Sequence, residues 1–316
     1  MVPPIAGGGD ATRRPASRRV RGVALVVFSA FSFGVAPSFA RLAYQGGVDV
    51  LTLVTLRCAV SAAVIFVALR LMRRPTRPAS GTRRHHLALG ITMVASSYGY
   101  LGAISYIPVG LAVLILFTFP LLVGLISRFT GGEPLTPLRL GAVIVAFLGL
   151  ALAVGGSFET LDPRGIALAL LAAVAISIQI TWGAGLIRRS TPVMVTFHMM
   201  ISASVMLGVA LALAGGPVLP DGAAGWLAMI GVVTAFLVAM LCFFSGLARI
   251  GPVPAALVAN LEPLVALGTA FVILGETLGP LQLVGAAMVL SAVTAGQLPA
   301  RLARSAEGRG APCARS

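Results

Sequence analysis

Long apolar runs follow one another along nearly the whole chain, each close to the length a helix needs to cross lipid. A bilayer-spanning helix takes about 20 mainly apolar residues. Candidate runs fall at residues 22–42, 50–71, 86–105, 109–128, 138–156, 165–187, 193–214, 223–246, 253–274 and 280–298. Backbone groups inside lipid must be satisfied within their own segment, and nothing alternates with the period of a barrel strand, so helices are expected. The predicted fold is an all-α membrane protein with ten transmembrane helices.

Composition agrees. Hydrophobic residues make up 58% of the chain and charged residues 10%, whereas a soluble domain carries about 25% charged residues. The net charge is +14 and every one of the 23 basic residues is arginine. The arginines sit in short clusters between apolar runs, the pattern of positive flanks on the cytoplasmic side rather than a nucleic-acid surface. Clusters at Arg13–Arg21, Arg70–Arg84, Arg128 with Arg139, Arg188 with Arg189, Arg249 and Arg301–Arg315 all fall on one side if ten helices alternate. Asp49, Glu159, Asp162 and Asp221 fall on the other, with only Arg41 and Arg164 among them. This sidedness predicts a multi-pass protein of the plasma (cytoplasmic) membrane with both termini in the cytoplasm. The first run is longer than a signal-peptide core, so it is expected to stay as an uncleaved span. Residues 1–19 and 299–316 are expected to be basic cytoplasmic tails, the first one disordered.

The chain also repeats itself. Ile107-Pro108-Val109-Gly110, Pro120 and Gly132-Glu133-Pro134-Leu135 return 143 residues later as Ile250-Gly251-Pro252-Val253, Pro263 and Gly275-Glu276-Thr277-Leu278. Arg21-Gly22-Val23-Ala24-Leu25 returns at the same shift as Arg164-Gly165-Ile166-Ala167-Leu168. Val54-Thr55-Leu56-Arg57 returns at a shift of 141 as Val195-Thr196-Phe197-His198. The halves are residues 20–157 and 163–298. Each holds five helices, an odd number, so the second must enter the membrane from the opposite side. Inverted repeats place a substrate site near the midplane and let the halves rock about it.

The pattern Ala248-Arg249-Ile250-Gly251-Pro252, Glu262-Pro263-Leu264 and Gly275-Glu276-Thr277-Leu278, with its first-half counterpart ending Gly132-Glu133-Pro134-Leu135, resembles the EamA domain of the drug/metabolite transporter superfamily. The resemblance runs from about residue 20 to 298. It implies two EamA-like domains in tandem, and secondary transport of small metabolites, often export of amino acids.

Polar groups in lipid tend to face a cavity or a partner, because a central charge costs roughly 2.5–3.5 kcal/mol on insertion scales. Glu262, mid-span, is expected to bind a proton or a substrate ammonium, or else to hydrogen-bond structurally at the Pro263 kink. Asn260 lies about 200° round an unbroken helix from it, and suits a helix–helix hydrogen bond. The counterpart of Asn260-Leu261-Glu262 is Phe117-Thr118-Phe119, so the halves are not functionally equivalent. Arg57 is a candidate for a substrate carboxylate, or for snorkelling or pairing with Glu262 or Asp49. Its equivalent His198 is expected in the opposite leaflet, titrating or bonding structurally. Gln179 and Trp182 share a helix face. Tyr98 and Tyr106 either line the cavity or mark the membrane interface. Pro37, Pro120 and Pro263 are hinges or static kinks. Glu133 and Glu276 are expected to favour the positive start of the next helix.

The leading function is therefore a carrier of a small polar metabolite, acting as monomer or homodimer, without cofactor and with proton coupling in view. The alternatives are an intramembrane enzyme and a non-transporting scaffold. Ser97 and Gly99 lack the first glycine of a nucleophile elbow. His85, His86 and His198 offer no metal-ligand pair inside the membrane, and a chain without lysine has no Walker-type ATPase site.

Overall fold

The computed structural model describes residues 16–77, 81–104, 106–107, 109–130, 136–154, 162–274 and 279–296. Glu133, Glu159, Glu276, residues 1–15 of the expected first tail and all of the expected second tail lie outside them, while residues 16–19 of the first tail already belong to a helix. The described residues form helices and no strands. The first half contains α1 (Ala16–Gln45), α2 (Val50–Leu71), α3 (Arg83–Ile104), α4 (Val109–Leu116), α5 (Phe119–Phe129) and α6 (Pro137–Val154). The second contains α7 (Pro163–Ile187), α8 (Pro192–Leu213), α9 (Gly222–Ile250), α10 (Pro252–Ala259), α11 (Glu262–Leu274) and α12 (Pro280–Gly296).

Eight stretches are long and apolar enough to cross a membrane, with α4–α5 and α10–α11 each counting as one from Leu111–Phe129 and Pro252–Thr269. Two of the ten expected runs stand apart. α3 begins Arg83-Arg84-His85-His86, and α12 has only 17 described residues. Bulky apolar side chains such as Phe28, Phe31, Phe129, Leu213 and Val272 lie exposed on the outside of the bundle. A soluble protein does not leave so much apolar surface open, and here it is the face lipid covers.

The helix starts are set locally. Asp49, Asp162 and Thr191 accept from the backbone N–H of Thr52, Arg164 and Met194, capping α2, α7 and α8. These are amide donors an uncapped helix leaves unsatisfied. Gly251 joins α9 to α10 at φ +87°, a conformation that favours glycine.

The packing exchanges partners between the halves. α1 packs on α9 as α7 packs on α3; α1 packs on α11 as α7 packs on α5; α2 packs on α9 as α8 packs on α3. The exchange holds residue by residue. A Cβ added to Gly22 would sit 2.5 Å from Ile250, and one added to Gly165 would sit 2.7 Å from Ile107. Each of these glycines is 143 residues from the other, and so are the two isoleucines. The remaining strong pairs, α2 with α8 and α6 with α12, join helices to their own counterparts. The α6–α12 contact is backbone against backbone. A Cβ on Gly149 would come within 2.8 Å of the Gly285 carbonyl oxygen, and one on Gly285 would strike the Gly149 carbonyl. Small residues that let backbones meet are how helices associate where lipid removes the hydrophobic drive.

Candidate functional site

Both halves contain a broken helix at the same place. α4 ends at Leu116 and α5 begins at Phe119; α10 ends at Ala259 and α11 begins at Glu262. The two residues between are Phe117-Thr118 in the first half and Asn260-Leu261 in the second. Pro120 and Pro263 are therefore not kinks inside a helix. Each is the second residue of a new helix, where its missing N–H has no intrahelical bond to lose. Pro37 alone of the three lies in a helix interior, that of α1. Asn260 is the first residue of the second break and Glu262 the first residue after it.

Each break is supported from the opposite half by the same backbone atom. The Ser177 hydroxyl on α7 donates to the Phe119 carbonyl at 3.2 Å. Gly34 on α1 takes the equivalent place, where a Cβ would sit 2.7 Å from the Glu262 carbonyl oxygen. Ser38 and Thr269 tie α1 and α11 together one turn further on, at 3.3 Å.

Around the second break the chemistry is polar. Asn260 is buried and Glu262 partly exposed. Arg57 on α2 and Tyr100 on α3 are within electrostatic reach of Glu262. Arg57 is held from two sides. One terminal nitrogen donates to the Ser97 hydroxyl at 3.3 Å, and the guanidinium lies 4.4 Å from the centroid of Phe236 on α9. Its Nε is buried and has no hydrogen-bond partner among the described residues. Asp49, one of the two partners weighed for Arg57, is instead the cap of α2. The first break is apolar by contrast, with Phe117 and Phe119 buried at a ring separation of 5.6 Å.

Asn260 and Glu262 thus flank one break, with Arg57 within electrostatic reach of Glu262, and the other candidates lie elsewhere. His198 stands apart from Arg57, beside His86 at the arginine-rich end of α3, with 5.1 Å between ring centroids. Trp182 packs on His85 at 5.6 Å. Gln179 is buried on α7, its Oε1 without a partner among the described residues. Tyr98 and Tyr106 are exposed. A cleft of about 390 Å³ opens at the arginine-rich end, lined by Arg18, Arg188, Thr191, Leu247 and Pro252; Glu262 and Arg57 do not line it. Tyr100, Phe236 and Ser177 escape a reading of the sequence, and Ser97 enters it only as a serine short of a nucleophile elbow. Only Ser177 had a signal, since extending the 143-residue repeat pairs it with Gly34.

An all-helical bundle of apolar spans, made of two halves that exchange contacts around paired broken helices, is the architecture of a membrane carrier. The EamA-like transporter family model matches residues 20–155 and again residues 163–295, and the chain belongs to that family. No curated protein matches it significantly. A solved chain described only as "Crystal structure of protein" shares the fold at a TM-score of 0.75 and 18% identity, covering 90% of this chain and 99% of its own.

Proposed function

We propose that the chain is a secondary active transporter that exports small polar metabolites such as amino acids by alternating access at a midplane site. On this reading ten spans form two inverted five-helix repeats in the plasma membrane, with both termini in the cytoplasm. The observation that carries it is the pair of two-residue breaks at equivalent places in the two halves. Carriers build their sites at broken helices, because non-helical backbone at membrane depth is tolerated where it is buried in protein or lines a cavity.

The site chemistry fits a zwitterion. Arg57 offers a guanidinium whose Nε has no protein partner, suited to a carboxylate. Glu262 offers a carboxylate to an ammonium, or to a proton that competes for the same place. The test is exchange of labelled amino acids by the protein in proteoliposomes, with and without a pH gradient. In Glu262→Gln the stimulation by the gradient should vanish. Stimulation equal to wild type would remove Glu262 from coupling.

A further inference from the structure

The α3–α8 interface holds a second titratable pair that the midplane site does not use. His86 is fully buried. Its Nδ1 lies 2.9 Å from the Thr82 carbonyl oxygen, and the Nδ1 of His198 lies 3.0 Å from that of Met194. A carbonyl only accepts, so each Nδ1 carries the proton and each Nε2 is left bare in the neutral ring. The His86 Nε2 has no partner among the described residues. One turn further on, the Ser202 hydroxyl donates to the Leu87 carbonyl at 3.0 Å, and Gly90 packs directly on Ser202. The two helices are in close contact one turn from the rings.

We propose that His86 and His198 form a proton-binding site separate from Glu262: while both rings are neutral they latch the arginine-rich ends of the two halves together, and a proton taken up there releases them. The proposal rests on the alternating-access reading above, because α3 belongs to one half and α8 to the other. It does not rest on the identity of the substrate.

The chemistry follows from the surroundings. A proton can enter only at an Nε2, and at His86 in the closed contact that charge is buried, meets no acceptor among the described residues and faces a second imidazole. The other charged or titratable groups near the pair are Arg83 and His85 on α3 and, behind the stacked rings of Phe197 and Phe66, Arg70 on α2. None is acidic, so among the described residues nothing near the pair compensates a new positive charge. Parting α3 from α8 admits water and solvates it. Protons therefore bind the open form better and shift the population towards it. Histidine is the side chain whose ordinary titration falls in the physiological range.

The test measures distance, not transport. Spin labels at Arg84→Cys on α3 and Arg189→Cys beyond α7 report the separation at this end, in nanodiscs, with Cys58, Cys242 and Cys313 replaced by alanine. The population at the longer distance should grow about tenfold between about pH 8 and about pH 5. It should stop responding to pH in His86→Gln and in His198→Gln. A flat response in the labelled protein with both histidines intact overturns the latch, as does a response that survives both variants. If the labels respond as expected while no amino acid is exchanged at any pH, the substrate reading falls and the latch stands.

Discussion

The α2–α9 and α3–α8 contacts are the same joint made twice with different chemistry. Exchange of the halves carries one onto the other, and Arg57 and His198 occupy equivalent positions in them. At α2–α9 the contact is Arg57 over Phe236, with Ser97 on one nitrogen. At α3–α8 it is His198 against His86, with both Nδ1 atoms turned back to their own helices. A guanidinium keeps its charge at any physiological pH, and it can trade its aromatic partner for an anion. An imidazole changes charge in that range and makes its contact only while neutral. Near-symmetric geometry thus supports an unsymmetric cycle. On the two proposals above, one joint answers to a ligand and the other to protons.

Four substitutions probe that contrast through uptake of the amino acid proposed as substrate: three in falling order of expected effect, and His198→Gln as the control for the first. Arg57→Ala removes the carboxylate partner and should raise the apparent KM about a hundredfold, equivalent to about 3 kcal/mol for a hydrogen-bonded charge. His198→Gln, at the equivalent position, should leave that KM near wild type; equal losses in both variants would dissolve the distinction between the joints. Phe236→Leu keeps the charge and removes the ring beneath it. It should cost about 1 kcal/mol, or about fivefold in KM, and an unchanged value would mean the ring does not position Arg57. Tyr98→Phe lies on the exposed face of α3, so uptake kinetics should stay within about twofold. A larger loss would bring Tyr98 back to the site.

Much of this was legible in the sequence. The repeat could be read from Gly22, Ile107, Gly165 and Ile250 alone, because those four residues fix the same contact twice. Glu262 stood out because a carboxyl in an apolar run is costly. The two breaks did not show, for a physical reason: Leu111–Phe129 and Pro252–Thr269 each keep a mean hydropathy high enough for one span, and hydropathy does not register a two-residue change from helical to turn hydrogen bonding. Pro120 and Pro263 marked the places but suggested kinks. His86 was hidden differently. It sits in a cluster, Arg83-Arg84-His85-His86, that reads as a positive flank, and only the packing of α8 shows that its last member is buried.

The glycine seam between α6 and α12 has a mechanical consequence. Two helices that meet through Gly149 and Gly285 have few interlocking side chains to resist turning, yet pulling them apart forfeits the closest backbone contact between the halves. If the halves rock as proposed, such a seam acts as their fulcrum. Displacement grows with distance from it, so a small rotation there is levered into a wide excursion at joints packed elsewhere, those of α2 with α9 and α3 with α8. Enlarging either glycine would stiffen the lever without touching a single residue that meets the cargo.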